Sequence, residues 1–137
     1  MLNNMMSAVK HVFSNFATFS GRARRSEYWY FVLFSMIVSA VLGIFSKQTP
    51  TEIAGQTVMI TQNKLLSLYN LIVFLPSLAV VVRRLHDVGK SGWNYLWIFL
   101  PIVGWIMILV WLCREGQHGD NRFGPDPKAP VSAPWEY

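Results

Sequence analysis

Arg83-Arg84-Leu85-His86-Asp87-Val88-Gly89-Lys90-Ser91-Gly92, followed by Trp93, is the densest run of chemically capable side chains in the sequence. His86 and Asp87 are the right types for general acid–base work. Neighbours on a helix point away from each other, so direct pairing is disfavoured. No nucleophile or metal set accompanies them, and no catalytic residue is assigned. Gly89-Lys90-Ser91 has the look of the end of a phosphate-binding loop. That loop needs a Gly five positions before its second Gly, and Arg84 stands there. Nucleotide hydrolysis is therefore rejected. A simpler phosphate contact stays open: Gly89 and Gly92 expose amides, and Ser91 is placed to cap a following helix. The histidines are His11, His86 and His118, and Cys113 is the one cysteine. An intrachain disulfide is impossible, a zinc site is not expected, and no cofactor is implied.

A second basic cluster, Arg22, Arg24 and Arg25, is followed by Glu27. Each cluster carries one acid. A solvated charge cluster is the plain alternative, but a mutual network is favoured. Glu27 would meet Arg83 or Arg84, and Asp87 would meet Arg22 or Arg25. The surplus charge would face anionic phospholipid or a protein partner through Arg22, Arg25, Arg83, Arg84, Lys90 and Ser91. Each basic residue near such a surface contributes about 1 kcal/mol. Nothing in the pattern reads as a nucleic-acid site.

The elements that must hold these residues are greasy. Of 137 residues, 53% are hydrophobic and 14% charged, against about 25% charged in an average soluble domain. Tyr28–Ser46, Leu65–Val82 and Trp93–Leu112 carry no charge over about 18–20 positions each, and a spanning helix needs about 20. None shows the polar stripe of a soluble core helix. The first run starts too late and runs too long for a cleaved signal peptide. The expected fold class is therefore all-α: a membrane bundle of three transmembrane helices, with spans 28–46, 65–82 and 93–112, in one domain over 1–127. The Gly- and Pro-rich end should be extended or turned, with 128–137 a flexible tail.

Charge suggests the threading. With the N-terminus cytoplasmic, seven Lys and Arg oppose two acids inside, and five oppose five outside. That favours N-in and C-out. Met5, Val9, Val12, Phe13 and Phe16 mark an N-terminal amphipathic helix, suited to the headgroup layer and less so to docking on protein. Thr57–Thr61 reads as half of a hairpin turning at Ala54-Gly55. Ser35, Ser39 and Gly43 form a small-residue stripe suited to helix packing. Pro76 and Pro101 each free a carbonyl one turn back.

Three motifs together resemble the family called domain of unknown function 805. Phe19-Ser20-Gly21-Arg22-Ala23-Arg24-Arg25-Ser26-Glu27-Tyr28-Trp29 is similar to its opening motif, and Arg83 to Trp93 to its central one. Gly116-Gln117-His118-Gly119-Asp120-Asn121-Arg122-Phe123-Gly124-Pro125-Asp126-Pro127 is similar to its closing motif. They stand in the family's order. The resemblance implies a bacterial inner-membrane protein with a few spans, and it brings no activity with it. With the C-terminus outside, the closing motif cannot touch the other two; with it cytoplasmic, all three would form one site. The favoured reading is a non-catalytic protein binding headgroups or a partner. A transporter or channel subunit, which three spans would require to be a homo-oligomer, and a headgroup enzyme are the alternatives.

Overall fold

The computed structural model describes residues 2–128. In chain order it comprises α1 (Leu2–Ser14), α2 (Arg25–Gly43), β1 (Lys47–Ile53), β2 (Gln56–Gln62), α3 (Lys64–Asp87), a 3₁₀ helix (Gly92–Phe99) and α4 (Val103–Cys113). The protein is mostly helical. Two helices, α2 and α3, are long and apolar enough to cross a membrane. Their outward faces agree with that: Met36, Ile37 and Val41 of α2 are exposed, as are Leu68, Leu71, Ile72 and Phe74 of α3. Monomers in water rarely show so large an apolar surface.

Asn63 joins the far ends of these two helices. Its side-chain oxygen caps α3 by accepting from the Leu66 amide at 2.9 Å. Its amide nitrogen donates to the Leu42 carbonyl, 2.7 Å away in the last turn of α2. One side chain so satisfies an orphan donor and an orphan acceptor at once. Between α2 and α3 lies the antiparallel hairpin β1–β2, closed by Ala54 and Gly55 with Ile53 opposite Gln56. Both turn residues have positive φ, 51° and 79°, the conformation that two-residue hairpins demand. The hairpin is the one departure from an all-helical chain among the described elements.

The apolar stripe of α1 is turned onto protein. Met5, Val9 and Val12 pack with Phe31 of α2 and with Val73 and Val80 of α3. Phe13 meets Phe31 edge-on at 5.9 Å. The amphipathic stripe expected to suit the headgroup layer is the face that closes the core against α2 and α3.

The third apolar run, expected to be one span over 93–112, is not one helix. The 3₁₀ helix ends at Phe99, Leu100 to Ile102 turn the chain, and α4 runs back. The turn is tight. Ile102 has φ of 67°, an uncommon conformation for a β-branched residue. A Cβ on Gly104 would sit 1.8 Å from the Trp97 carbonyl oxygen, so the two arms approach as only glycine permits. The Trp105 indole donates across them to the Ile98 carbonyl at 2.7 Å. Eight residues of 3₁₀ helix and eleven of α-helix are each about 16 Å long, half of an apolar layer of about 30 Å. The chain after α4 therefore returns to the end where Arg22 and Asp87 lie. There Arg22, just before α2, bonds to the carbonyls of Gly119 and Gln117. Of the expected tail 128–137, residues 129–137 lie outside the described residues.

Candidate functional site: a buried arginine clasp

The segment before α2, the last turn of α3 and the segment after α4 converge at one end of the bundle. The backbone sets the approach. The Ala23 amide donates to the Arg83 carbonyl at 3.0 Å, and the Gln117 amide to the Asp87 carbonyl at 2.7 Å. Segments brought this close bury whatever lies between them, and here that is charge. Arg84 is fully buried, Asp87 is 1% exposed and Arg22 8%.

Asp87 is the hub. It accepts from Arg22 at 3.0 Å and from Arg84 on its other oxygen. A buried carboxylate is tolerated only when paired and hydrogen-bonded. The arginines have further work. Arg22 donates to the carbonyls of Gly119, at 2.6 Å, and of Gln117. Arg84 donates to the Leu112 carbonyl at 3.2 Å and to that of Arg114. Arg25 reaches the Cys113 carbonyl at 3.1 Å, and the Trp29 indole donates to Leu112 at 3.2 Å. The last carbonyls of α4 thus receive two guanidiniums and an indole. A helix C-terminus leaves those oxygens unpartnered and carries partial negative charge, so cations belong there.

Gly116 makes the approach possible: a Cβ there would fall 2.0 Å from a carboxylate oxygen of Asp87. Asn121 donates to the His86 carbonyl at 2.9 Å. The ring of Phe123 stacks flat on His86, with centroids 4.0 Å apart and planes within 2°. His86 also donates from Nδ1 to the Gly21 carbonyl at 2.9 Å. The ring that sequence offered as an acid–base partner of Asp87 is instead wedged between the opening and closing segments.

A smaller cluster sits beside the clasp. Glu27 accepts from Arg83 at 3.0 Å and from His11 Nδ1 of α1 at 2.6 Å. The hydrogen bond to Glu27 raises the His11 pKa above its ordinary 6.5; partial burial and Arg83 oppose the shift. Arg83 is 3% exposed, yet its Nε and Nη2 have no hydrogen-bond partner among the described residues.

The residues singled out in the sequence divide clearly. Arg22, Arg83, Arg84, Glu27 and Asp87 are brought together and turned inward. Arg25 is exposed. Lys90 is half-buried over the Trp111 ring, 5.4 Å from its centroid. Ser91 precedes the 3₁₀ helix, but its side chain makes no capping bond. Ser35 lies between α2 and α3 and accepts from the Tyr69 hydroxyl at 3.3 Å. Ser39 and Gly43 are half-buried, and a Cβ on Gly43 would meet nothing within 4 Å, so no neighbouring helix approaches there. No group of three metal-ligating side chains occurs among the described residues. Gln117, Asn121, Phe123 and the carbonyls of 112–114 are parts of the site that residue types alone did not mark. Gly116 was the available signal, since a glycine beside a helix end often marks a close approach.

The family described as "Protein of unknown function (DUF805)" matches residues 16–125. The chain is 44% identical over 117 residues to "Inner membrane protein YhaH" of Escherichia coli (strain K12), covering 85% of this chain and 93% of that protein. It is equally identical, at 44%, to "Inner membrane protein YhaI" of the same strain, over 85% of this chain and 92% of the relative. "Uncharacterized protein YiiR" of that strain is 33% identical over 111 residues, 79% of this chain and 67% of that protein. No solved structure matches.

Proposed function

The chain belongs to the DUF805 family, and we propose that it is a non-catalytic inner-membrane protein whose cytoplasmic end binds anionic lipid headgroups. On this reading α2 and α3 cross the bilayer. The 3₁₀ helix and α4 form a re-entrant hairpin that enters and leaves by the inner leaflet, and the segments on either side of the bundle meet there in the clasp.

One observation carries the reading. Of the twelve Lys and Arg, all but Lys47 and Lys64 fall at the end that holds Arg22 and Asp87, once residues 114–128 fold back onto it. The sequence count of seven against five becomes ten against two. The positive-inside rule then assigns that end to the cytoplasm far more strongly than it assigned a C-out chain. The acids Glu27 and Asp87 are already paired within the site. Lys10, Arg24 and Arg25 remain exposed, aimed by this threading at the negative surface of the inner leaflet. A buried, internally paired clasp holds this face in shape.

Native mass spectrometry tests the reading. The full chain is released from bilayers of equal phosphatidylglycerol and phosphatidylcholine. Enrichment of the anionic lipid is expected, falling several-fold in a Lys10→Gln, Arg24→Gln, Lys90→Gln variant. Equal retention of both lipids by the unaltered protein ends it.

A further inference from the structure

Two open grooves of similar size differ in the chemistry of their linings. One, of about 370 Å³, is formed by Trp93, Leu96, Trp97, Phe99 and Leu100 of the 3₁₀ helix and its turn, all without charge. The other, of about 410 Å³, is formed along α2 by Arg25, Ser26, Trp29, Tyr30 and Leu33. These residues make one stripe of the helix. It starts with a guanidinium and a hydroxyl, passes two aromatic rings and ends on an aliphatic side chain, about 12 Å down the axis. A glycerophospholipid has the same order: phosphate, ester region, acyl chain.

We propose that this second groove holds one anionic phospholipid, its phosphate against Arg25 and Ser26 and its acyl chain along Trp29, Tyr30 and Leu33. The proposal rests on the reading that this end lies at the inner leaflet, and it names a discrete site where that reading needs only a charged face. Charge decides the occupant. Arg25 gives one N–H to the Cys113 carbonyl, and among the described residues no carboxylate pairs with it. Glu27, the nearest acid on the helix, is held by His11 and Arg83. The Ser26 hydroxyl makes no hydrogen bond among the described residues. The site is also stiff: Arg25 and Trp29 are pinned to the end of α4 by bonds of 3.1 and 3.2 Å. A guanidinium already oriented, with donors left over, loses little freedom when a phosphate arrives. A second copy or a foreign apolar helix would cover Trp29 and Leu33 but leave Arg25 without a counter-charge. The groove on the 3₁₀ helix accepts acyl chains with no headgroup preference.

The test uses the full chain in nanodiscs containing phosphatidylglycerol with a photoreactive diazirine on its acyl chain, and a phosphatidylcholine analogue with the same chain. Peptide mapping reads where the label lands. Phosphatidylglycerol is expected to label Trp29 to Leu33 several-fold more than phosphatidylcholine does. Ser26→Glu is expected to cut that labelling about fivefold, the effect of about one unit of surface charge. Glu in a first helical turn suits the helix dipole, so this variant keeps its fold and leaves the Arg25 bond to α4 intact. Arg25→Gln should lose the label as well. Equal labelling by the two lipids, indifference to Ser26→Glu, or chain-to-chain cross-links through Leu33 would overturn the proposal. If phosphatidylglycerol enrichment survives in the mass spectrum while groove labelling fails, the groove alone is wrong. If both fail, the parent reading falls with it.

Discussion

Arg22 and Asp87, 65 positions apart in the chain, form an ion pair of 3.0 Å with side chains 0% and 2% exposed. The pair is the point at which the segment leading into α2 and the last turn of α3 are locked. Through the carbonyls of Gln117 and Gly119 it also captures the segment after α4. A charge pair buried from solvent is costly to form and costlier to break, because the survivor stays buried and alone.

Asp87→Asn is therefore expected to destabilise the fold by about 3–5 kcal/mol, the usual effect of removing one member of a buried charge set. Asparagine keeps the size and an acceptor but leaves Arg22 and Arg84 without a counter-charge. Reversible unfolding in mixed micelles, followed by far-ultraviolet circular dichroism, reads the change. A loss below about 1 kcal/mol would mean that the two guanidiniums are neutralised elsewhere.

Two glycines offer a matched contrast. Gly116→Ala would drive a methyl group onto Asp87, to 2.0 Å from a carboxylate oxygen, whereas Gly43→Ala meets nothing within 4 Å. The first should cost about 2 kcal/mol or more through loss of the clasp. The second should be neutral or gain up to about 1 kcal/mol, since alanine is the better helix former. The same unfolding assay separates them. A damaging Gly43→Ala would point to a helix partner that the single chain does not contain.

The two candidate spanning helices could be read from the sequence because α2 and α3 contain the charge-free runs 28–43 and 65–82, with no polar face. The hairpin was legible for a different reason: the Thr57–Thr61 run reads as a strand, and Gly55 before it supplies one of the positive φ angles the turn needs. The third run misled because apolarity measures length in lipid, not direction. Pro101 signalled a freed carbonyl, but reversal depends on Ile102 taking a positive φ, which residue type does not announce. With the reversal missed, Gly116 to Pro127 was placed apart from the two basic clusters that it in fact contacts. Residue types placed both basic clusters in one layer with an acid each. Which carbonyls would receive the arginines was hidden, because the carbonyls of 112–114 are backbone groups and every residue has one.

The hold on α1 should depend on pH. His11 donates to Glu27, and its pKa is raised above 6.5. Protonation is thus favoured in the docked state, and the stabilisation is fully present below pH 6.5. It is lost as pH rises through the raised value. Glu27 from α2 and Arg83 from α3 are the charged groups facing the ring. Hydrogen–deuterium exchange in α1, corrected for intrinsic rates, should be slower at pH 6 than at pH 9. His11→Gln should remove the difference. A difference that persists in the variant would assign the pH response to another group.

The return of the chain after α4 has a direct test in the sole cysteine. Cys113 is exposed and lies beside Arg25 at the clasp end. If that end faces the cytoplasm, a membrane-impermeant maleimide added to intact spheroplasts should leave Cys113 unlabelled, and the same reagent should label it in inverted vesicles. A Cys113→Ser, Val58→Cys variant carries its thiol on the exposed face of β2, beyond the far ends of α2 and α3, and should label in the opposite pattern. A Cys113→Ser, Ser7→Cys variant places the thiol in α1 and reports the side of the N-terminus. Two crossings with a re-entrant hairpin require the thiol at position 7 to agree with Cys113, and both to disagree with the thiol at position 58. Agreement of Cys113 with position 58 would instead mean three crossings, and the arginine clasp could not form across the bilayer.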